Sequence, residues 1–291
     1  MLPLFPRFIR LIFVDELGAG LDLAGLNARF EIDRFTYGKG KITIFNLSES
    51  TISKMLDRFT RVQVVAGYPQ RFGTILDAQV NNVTIEKDGA DKITTVYATE
   101  HLSGLEFGRV SRAWAPGVTL HQVITGVVAE FPGVTVSASG LAGIQNQTLT
   151  SGYAIRDSAN RAMKGLATAF GFDWWLGPGG DFHGRTKGLP GTMTPIVISR
   201  ETGMVGSPIV SSEASIEVRT LLDPRILPDT RILVQSAAPQ ISLGADALFS
   251  VSDIAQRVRS RDNVFRVQRV VNVGETRGQT WYTQAFGLRD V

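Results

Sequence analysis

The sequence predicts a mainly β protein in which two antiparallel β-barrel or sandwich domains flank a small mixed α/β domain. Three observations support this prediction. Apolar and polar residues alternate in the N-terminal and C-terminal thirds, the apolar spacing becomes helical between them, and glycines separate the alternating segments. At 291 residues the chain also exceeds the usual size of one domain. We therefore expect domains at residues 1–109, 110–190 and 191–291.

The N-terminal third reads as a barrel of half-buried strands. Alternation is clearest in Arg29–Phe35, Lys41–Phe45 and Arg61–Val65. One helix interrupts the strands, over Thr51–Phe59, with Ser48 or Ser50 as its cap. Its predicted apolar face consists of Ile52, Met55, Leu56 and Phe59.

The middle third predicts two helices and a hairpin. Thr119 can cap a first helix that ends before Pro132–Gly133. A second helix spans Ala159–Phe170, with Asp157 as its expected cap and Gly171 as a left-handed terminus. The segment that follows predicts a β-hairpin over Phe172–Phe182, which turns at Gly177-Pro178-Gly179-Gly180.

The C-terminal third returns to strands. They are predicted at Ser215–Leu221, Thr230–Ser236, Leu248–Ile254, Val264–Val273 and Gln279–Phe286. Their order repeats features of the first third. The matched pairs are Lys41–Leu47 with Ser215–Leu221, Thr60–Val64 with Thr230–Val234, Val80–Val83 with Val267–Val270, and Thr94–Tyr97 with Gln279–Tyr282. The shared order favours a duplicated barrel over chance similarity among alternating strands.

Composition excludes several functional classes. The hydrophobic fraction of 43% and the charged fraction of 20% are typical of a globular chain, and the net charge of +3 gives little support to nucleic-acid binding. Without cysteine there is no disulfide, thiolate nucleophile or thiolate metal site. Arg7 and Arg10 interrupt the apolar opening Leu2–Val14, so we expect no export signal and no membrane-spanning segment.

The residues that could carry chemistry do not form a convincing constellation. His101, His121 and His183 lack the spacing of metal ligands and are interpreted as structural or surface residues. Glu100 and Glu106 could be a hydrolase pair, but paired carboxylates are too common to indicate one without a cleft. We therefore predict no catalytic, cofactor-binding or metal-binding residue, and expect the single exchange of Glu100, Glu106 or His183 to alanine to leave assembly within a few-fold of normal.

Two further features have both a binding and a structural interpretation. Trp174 and Trp175 could stack on a carbohydrate, but adjacent strand residues face opposite sides, so at most one ring can serve one surface. Arg257, Arg259 and Arg261 would line one face of an extended segment. They suit a contact with DNA or an acidic partner, or a solvated strand edge that prevents aggregation, which is the interpretation we favour.

The segments Gly40–Ser48 and Val218–Ile226 carry motifs that resemble the baseplate hub proteins of contractile-tailed, myovirus-type bacteriophages. The segments that resemble the family's first tail-tube-like barrel are Gly40–Ser48, Val64–Tyr68 and Phe72–Ile75. The segments that resemble the opening of its second barrel are Glu201–Pro208 and Val218–Ile226. The helix end Leu166–Phe172 lies where the family has its middle domain. One departure is Pro228-Asp229, where we expect glycine after the proline, so the turn there can differ.

The resemblance implies a structural hub without catalytic residues or cofactors. It implies a homotrimer whose six barrels form a pseudo-six-fold ring, an adapter between a six-fold tail tube and a three-fold spike. The implied partners are the tube protein, the spike protein and other baseplate proteins, and DNA can pass through the lumen without specific binding. The implied location is the tail baseplate of the virion, assembled in the cytoplasm of the bacterial host.

Two alternatives remain open at the level of sequence. A tail-associated cell-wall hydrolase would need a cleft with an acid and a nucleophile, or a metal. A carbohydrate-binding tail module would rest on Trp174 and Trp175 alone.

Overall fold

The computed structural model describes residues 7–16, 18, 20–189, 193–210, 215–236, 240–241 and 263–290. The N-terminal third supplies seven of the described strands and one helix. They are β1 (Phe8–Asp15), β2 (Gly20–Ala24), β3 (Ala28–Arg34), β4 (Gly38–Phe45), α1 (Glu49–Asp57), β5 (Phe59–Tyr68), β6 (Arg71–Asp88) and β7 (Asp91–Thr99). The predicted alternation is confirmed, since burial along β3 and β4 switches at every residue.

Helix α1 differs from its prediction in length and in apolar face. Ser48 is the cap, and its hydroxyl accepts a hydrogen bond from the Thr51 amide at 3.2 Å. Because the helix ends at Asp57, Phe59 opens β5 and is not part of the helix. Leu56 is 54% exposed, so the buried helical face is narrower than predicted.

The middle third contains α2 (Leu102–Phe107), β8 (Arg109–Trp114), α3 (Leu120–Val128), β9 (Thr135–Val136), α4 (Ala138–Leu141), β10 (Tyr153–Ser158), α5 (Ala159–Phe170), β11 (Phe172–Leu176) and β12 (Asp181–Thr186). Thr119 caps α3 as predicted, in a capping box with Gln122. The cap of α5 is Ser158 and not Asp157, because the Ser158 hydroxyl reaches the free Arg161 amide. Gly171 ends α5 at a φ of 65°, as predicted.

The C-terminal third contains β13 (Ile196–Ile198), β14 (Ile209–Val210), β15 (Ser215–Leu221), β16 (Arg231–Val234), β17 (Gln240–Ile241), β18 (Val264–Glu275) and β19 (Trp281–Arg289). The strands predicted at Ser215–Leu221 and from Val264 are confirmed, and those predicted at Thr230 and Gln279 begin one and two residues later. The predicted strand Leu248–Ile254 lies outside the described residues.

Fourteen of the described strands form one continuous sheet. The order is β17-β14-β15-β19-β18-β3-β4-β7-β6-β5-β1-β2, with β16 paired to β18 and β13 paired to β16. The N-terminal and C-terminal thirds are joined within this sheet because β18 pairs antiparallel with β3. The described strands therefore form one sheet that spans both outer thirds, and no closed barrel is seen among them.

The sheet contains a repeated arrangement of strands. The antiparallel order β4-β7-β6-β5 recurs as β15-β19-β18-β16. Both repeats carry a register shift at the same place, after Val80 in β6 and after Val267 in β18. The predicted match of Val80–Val83 with Val267–Val270 thus agrees with the register. For β7 the register instead matches Val96 with Ala285, so the predicted match with Gln279–Tyr282 is displaced by four residues.

Three clusters of buried apolar side chains hold the described chain together. The first lies between the strands of the N-terminal third, the second among the helices and hairpin of the middle third, and the third under the C-terminal strands. The first cluster also contains Leu222 and Trp281, two residues of the C-terminal third. The outer thirds therefore share a core as well as a sheet.

Candidate functional site

Glu100 and Glu106 do not form a catalytic pair. Glu100 is fully buried, and its carboxylate accepts hydrogen bonds from the Arg34 guanidinium at 2.6 and 2.5 Å and from the Gly38 amide at 2.7 Å. Glu106 lies on α2 and is exposed. A carboxylate that is paired and closed off from solvent cannot receive a substrate, so this arrangement is structural.

The three histidines are likewise in structural positions. His101 lies at the start of α2 with a φ of 54°, and its Nε2 is 3.4 Å from the Gly177 carbonyl oxygen. His121 Nε2 is 2.8 Å from the Ile144 carbonyl oxygen. The ring of His183 stacks on Trp175 with centroids 5.6 Å apart. Within the described ranges, no three His, Asp or Glu side chains gather as a metal site would require.

The two tryptophans face opposite sides of β11, as predicted. Trp174 is buried and packs between Phe131 and Phe182, with ring centroids 6.3 and 6.2 Å away. Trp175 is partly exposed and lies on His183. The glycine turn beside them closes the β11–β12 hairpin as predicted. One indole ring is therefore available to a ligand, and the other belongs to the core.

Trp175 lines a groove of about 380 Å³ where the three thirds of the chain meet. The exposed ring of Phe35 also lines it. Its two carboxylates are matched with cations: Asp229 bonds Arg185 at 2.6 and 2.5 Å, and Asp173 lies 3.7 Å from Lys187. Both carboxylates that line the groove therefore lie beside a cation.

The joint between β18 and β3 is the most extensively built contact between the outer thirds. On the core side, the ring of Phe30 meets Trp281 edge-on with centroids 5.3 Å apart. It also lies over Gly274, where an added Cβ would come within 2.3 Å of it. On the opposite face, Arg269 donates two hydrogen bonds to Asp33, at 2.8 and 2.6 Å.

A second contact reinforces the joint just after β15. The chain turns at Asp223-Pro224, because proline cannot continue a central strand, and Leu222 beside the turn is fully buried. Its position in the N-terminal core differs from our expectation of a second, separate barrel core. Asp223 is also buried and accepts a hydrogen bond from Arg71 at 3.2 Å, while Pro224 packs on Gly73. The two outer thirds are therefore in contact at the turn after β15 as well as along β3 and β18.

The solvent face of the sheet is polar and carries both charges. Four cationic side chains lie over aromatic rings on it: Arg29 over Phe45, Lys41 over Tyr97, Arg219 over Tyr282, and Arg269 over Phe286, at 5.2 to 6.0 Å. Glu31, Asp33 and Glu217 lie among them on the same face. A face of mixed charge can line an aqueous passage without holding a polyanion.

Sequence reasoning missed Arg34 and the β18–β3 joint. Arg34 follows Phe30 and Ile32 at intervals of two residues along β3, so it lies on the same face of the strand. The alternation in the sequence therefore indicates an arginine on the buried face. The predicted stripe Arg257, Arg259 and Arg261 lies outside the described residues. No helix in the described ranges combines the length and apolar character needed to cross a membrane.

No protein-family model matches the sequence, and no curated protein matches it. Solved structures share its fold. A tail protein from Neisseria meningitidis MC58 superposes with a TM-score of 0.61 at 11% identity, over 98% of this chain and 97% of that chain. The 43 kDa tail protein of prophage MuSo2 from Shewanella oneidensis gives 0.62 at 9% identity, over 97% of each chain.

A third similar structure comes from a secretion system. The E. coli c3393 protein is a component of the type VI secretion system with structural similarity to the T4 bacteriophage tail proteins gp27 and gp5. It superposes with a TM-score of 0.55 at 10% identity, over 98% of this chain and 77% of that chain. Over nearly its whole length, this chain therefore has the fold of solved phage tail proteins.

Proposed function

We propose that the chain is a non-enzymatic structural subunit of a contractile phage tail, the baseplate hub that joins the tail tube to the spike. The observation that carries the proposal is the repeated strand order in one chain, and we take each repeat as the counterpart of one tube-like barrel. The fold likeness to solved tail proteins supports the tail assignment. The domains would be residues 1–109, 110–190 and 191–291.

A homotrimer would use this duplication to match two symmetries. Three chains supply six similar barrels, so a closed ring of three chains presents six near-equivalent units to the tube and three equivalent units to the spike. The packed and hydrogen-bonded joint between the repeats supports this role, because the angle between neighbouring barrels must be constant for the ring to close.

The mixed charge of the sheet's solvent face suits the wall of the ring. By the shared register the counterpart of Tyr97 is Phe286, and each of these rings lies under a cation, Lys41 and Arg269 respectively. DNA would pass such a wall without specific binding, since cations and carboxylates alternate along it. The partners would be the tube protein, the spike protein and other baseplate proteins, and the location would be the virion tail, after assembly in the host cytoplasm.

The position of the chain in a tail tests this proposal. Purified tails that carry an affinity tag on this chain would be labelled with gold and imaged. We expect label at the baseplate end of the tube, and label along the tube or at fibre tips would contradict the hub assignment.

Two assays test the enzymatic and carbohydrate-binding alternatives. The same preparation is applied to a peptidoglycan zymogram and to a glycan array, with a Trp175→Ala variant as the matched control for sugar stacking. We expect no clearing and no binding that depends on Trp175. Clearing, or glycan binding that the variant loses, would replace the structural assignment.

A further inference from the structure

The outer half of β6 is a sheet edge without a partner strand in the described chain. β5 pairs with β6 only as far as Gln79, and β7 pairs with the remainder on its other side. Ile85 on this half is 45% exposed, although it is apolar. Such an edge offers a row of free backbone donors and acceptors to another strand.

The equivalent half of β18 is covered. Val83 and Val270 are equivalent, because each follows the register shift of its own repeat by the same distance. Ile85 is therefore equivalent to Asn272, which is only 3% exposed. The difference arises because β3 pairs with this half of β18, over six residue pairs. Repeat one thus exposes the edge that repeat two buries within the same chain.

The same reasoning identifies the counterpart of β3 in the second repeat. Gly40 of β4 and Ile216 of β15 are equivalent, because they lie opposite Ala98 and Gly287 in matching strands. β3 pairs with β4 on one side, and β14 pairs with β15 in the same antiparallel sense. The strand that takes the place of β3 in the second repeat is therefore β14.

The register of the β18–β3 joint predicts which residues of β6 and β14 would lie opposite each other. Ile32 lies opposite Gly40, and Val210 lies opposite Ile216, so Ile32 and Val210 are equivalent. Within one chain Asn272 lies opposite Ile32. Ile85 is equivalent to Asn272, and Val210 is equivalent to Ile32. A joint of the same geometry between two chains would therefore place Ile85 of one chain opposite Val210 of the other.

We propose that the outer edge of β6 pairs antiparallel with β14 of a second copy of this chain, with Ile85 opposite Val210 and Glu86 opposite Ile209. The proposed contact joins two different strands, β6 of one copy and β14 of the next. Such a head-to-tail contact forms a ring when the rotation that relates neighbouring copies closes on itself. The inference rests on the proposed ring and specifies the contact that would close it.

Residue faces agree with this pairing. Ile85 lies opposite Thr94, which is fully buried, so Ile85 is on the core side of the sheet. Val210 is buried and belongs to the C-terminal core. Pairing would place the two apolar side chains on one face and cover Ile85, as Phe30 and its neighbours are covered at the internal joint.

In the single chain, β17 occupies the edge of β14 to which β6 of the second copy would pair. It pairs in parallel through two residue pairs, Ile209 with Gln240 and Val210 with Ile241, against six pairs in the β18–β3 joint. We infer that β17 leaves this edge when the second copy binds. A short parallel pairing is suited to such an exchange, since little pairing is lost.

Disulfide cross-linking tests the pairing, because the chain contains no cysteine. Ile85→Cys and Val210→Cys are made as single variants that carry tags of different size, and are mixed during assembly with the spike protein. Directly opposed residues of antiparallel strands have Cα atoms about 4.5–5.5 Å apart, within the range of about 4.4–6.8 Å that a disulfide spans. We expect oxidation to give a covalent dimer that contains both tags.

Ile209→Cys with Ile85→Cys is the matched control, because a one-residue change turns the side chain to the other face. A cross-link with Ile209 that equals or exceeds the one with Val210, or no cross-link in a ring shown by native mass spectrometry to hold three copies, would overturn the strand pairing and leave the ring intact. Absence of any ring of three would instead contradict the proposed function as well.

An Ile85→Asp variant gives an independent measurement that needs no oxidation. Ile85 is exposed in the single chain, so we expect an unchanged melting temperature but at least a ten-fold loss of assembled trimer. Thr84→Asp, on the opposite face, is its control and should retain the trimer. Normal assembly of Ile85→Asp would contradict the proposed contact.

Discussion

Arg34 and Glu100 form a fully buried ion pair in which the guanidinium donates two hydrogen bonds to the carboxylate, at 2.6 and 2.5 Å. Arg34 also donates to the carbonyl oxygens of Ile75 and Leu176, at 3.2 and 3.4 Å. The pair therefore connects β3 to β6 and to the hairpin of the middle third. Its burial gives Glu100 a structural importance that the sequence did not indicate.

Glu100→Ala should lower the free energy of unfolding by about 3–5 kcal/mol, because it leaves the Arg34 charge buried without its partner. Urea denaturation measures this loss. Glu106→Ala is the control and should stay within about 0.5 kcal/mol, since Glu106 is exposed. This replaces the expectation from sequence that the Glu100 exchange would be harmless. A Glu100→Ala protein as stable as the control would show that the pair is not needed for folding.

Leu222→Asp should prevent stable folding. The side chain is fully buried in the core shared by the two outer thirds, and an unpaired charge there costs several kcal/mol. Leu56→Asp makes the same chemical change at a residue that is 54% exposed, and should fold. Circular dichroism and urea midpoints compare the two. Equal stability of both variants would mean that the joint after β15 is misplaced.

Asp229 combines a left-handed backbone with an ion pair. Its φ is 69°, and its carboxylate bonds Arg185 at 2.6 and 2.5 Å. Asp229→Asn removes the charge, but asparagine tolerates this φ. Asp229→Ala removes the charge and also strains the backbone, so we expect the free energy of unfolding of the alanine variant to be lower by a further amount of about 1 kcal/mol. Thermal or urea unfolding of both variants measures the difference. Equal stabilities would show that the backbone angle carries no cost.

The fold could be predicted from sequence where neighbouring residues decide it. The alternation in β3 and β4, the Thr119 cap and the Gly171 terminus are local features, and the structure confirms them. The repeat of β6 and β18 could also be predicted, from the match of Val80–Val83 with Val267–Val270. The structure agrees, because a register shift follows the first valine of each segment. The expectation of glycine after Pro228 has a counterpart in the positive φ of Asp229.

The remainder depends on contacts between distant residues. Pairing of β18 with β3 joins strands more than two hundred residues apart, which no local pattern encodes. Leu222 entered the N-terminal core for the same reason, because that joint brings the turn after β15 against β6. The burial of Glu100 could not be predicted from sequence either, because it depends on the three-dimensional position of Arg34.

The copy number of the chain in its ring tests the central claim most directly. Intact baseplates, or the chain co-expressed with its spike protein, would be measured by native mass spectrometry and by imaging of the ring. If each chain supplies two tube-like barrels, the ring holds three copies and shows six similar units around its axis. A ring of six copies, or a single copy, would contradict the account even in a protein that belongs to a phage tail.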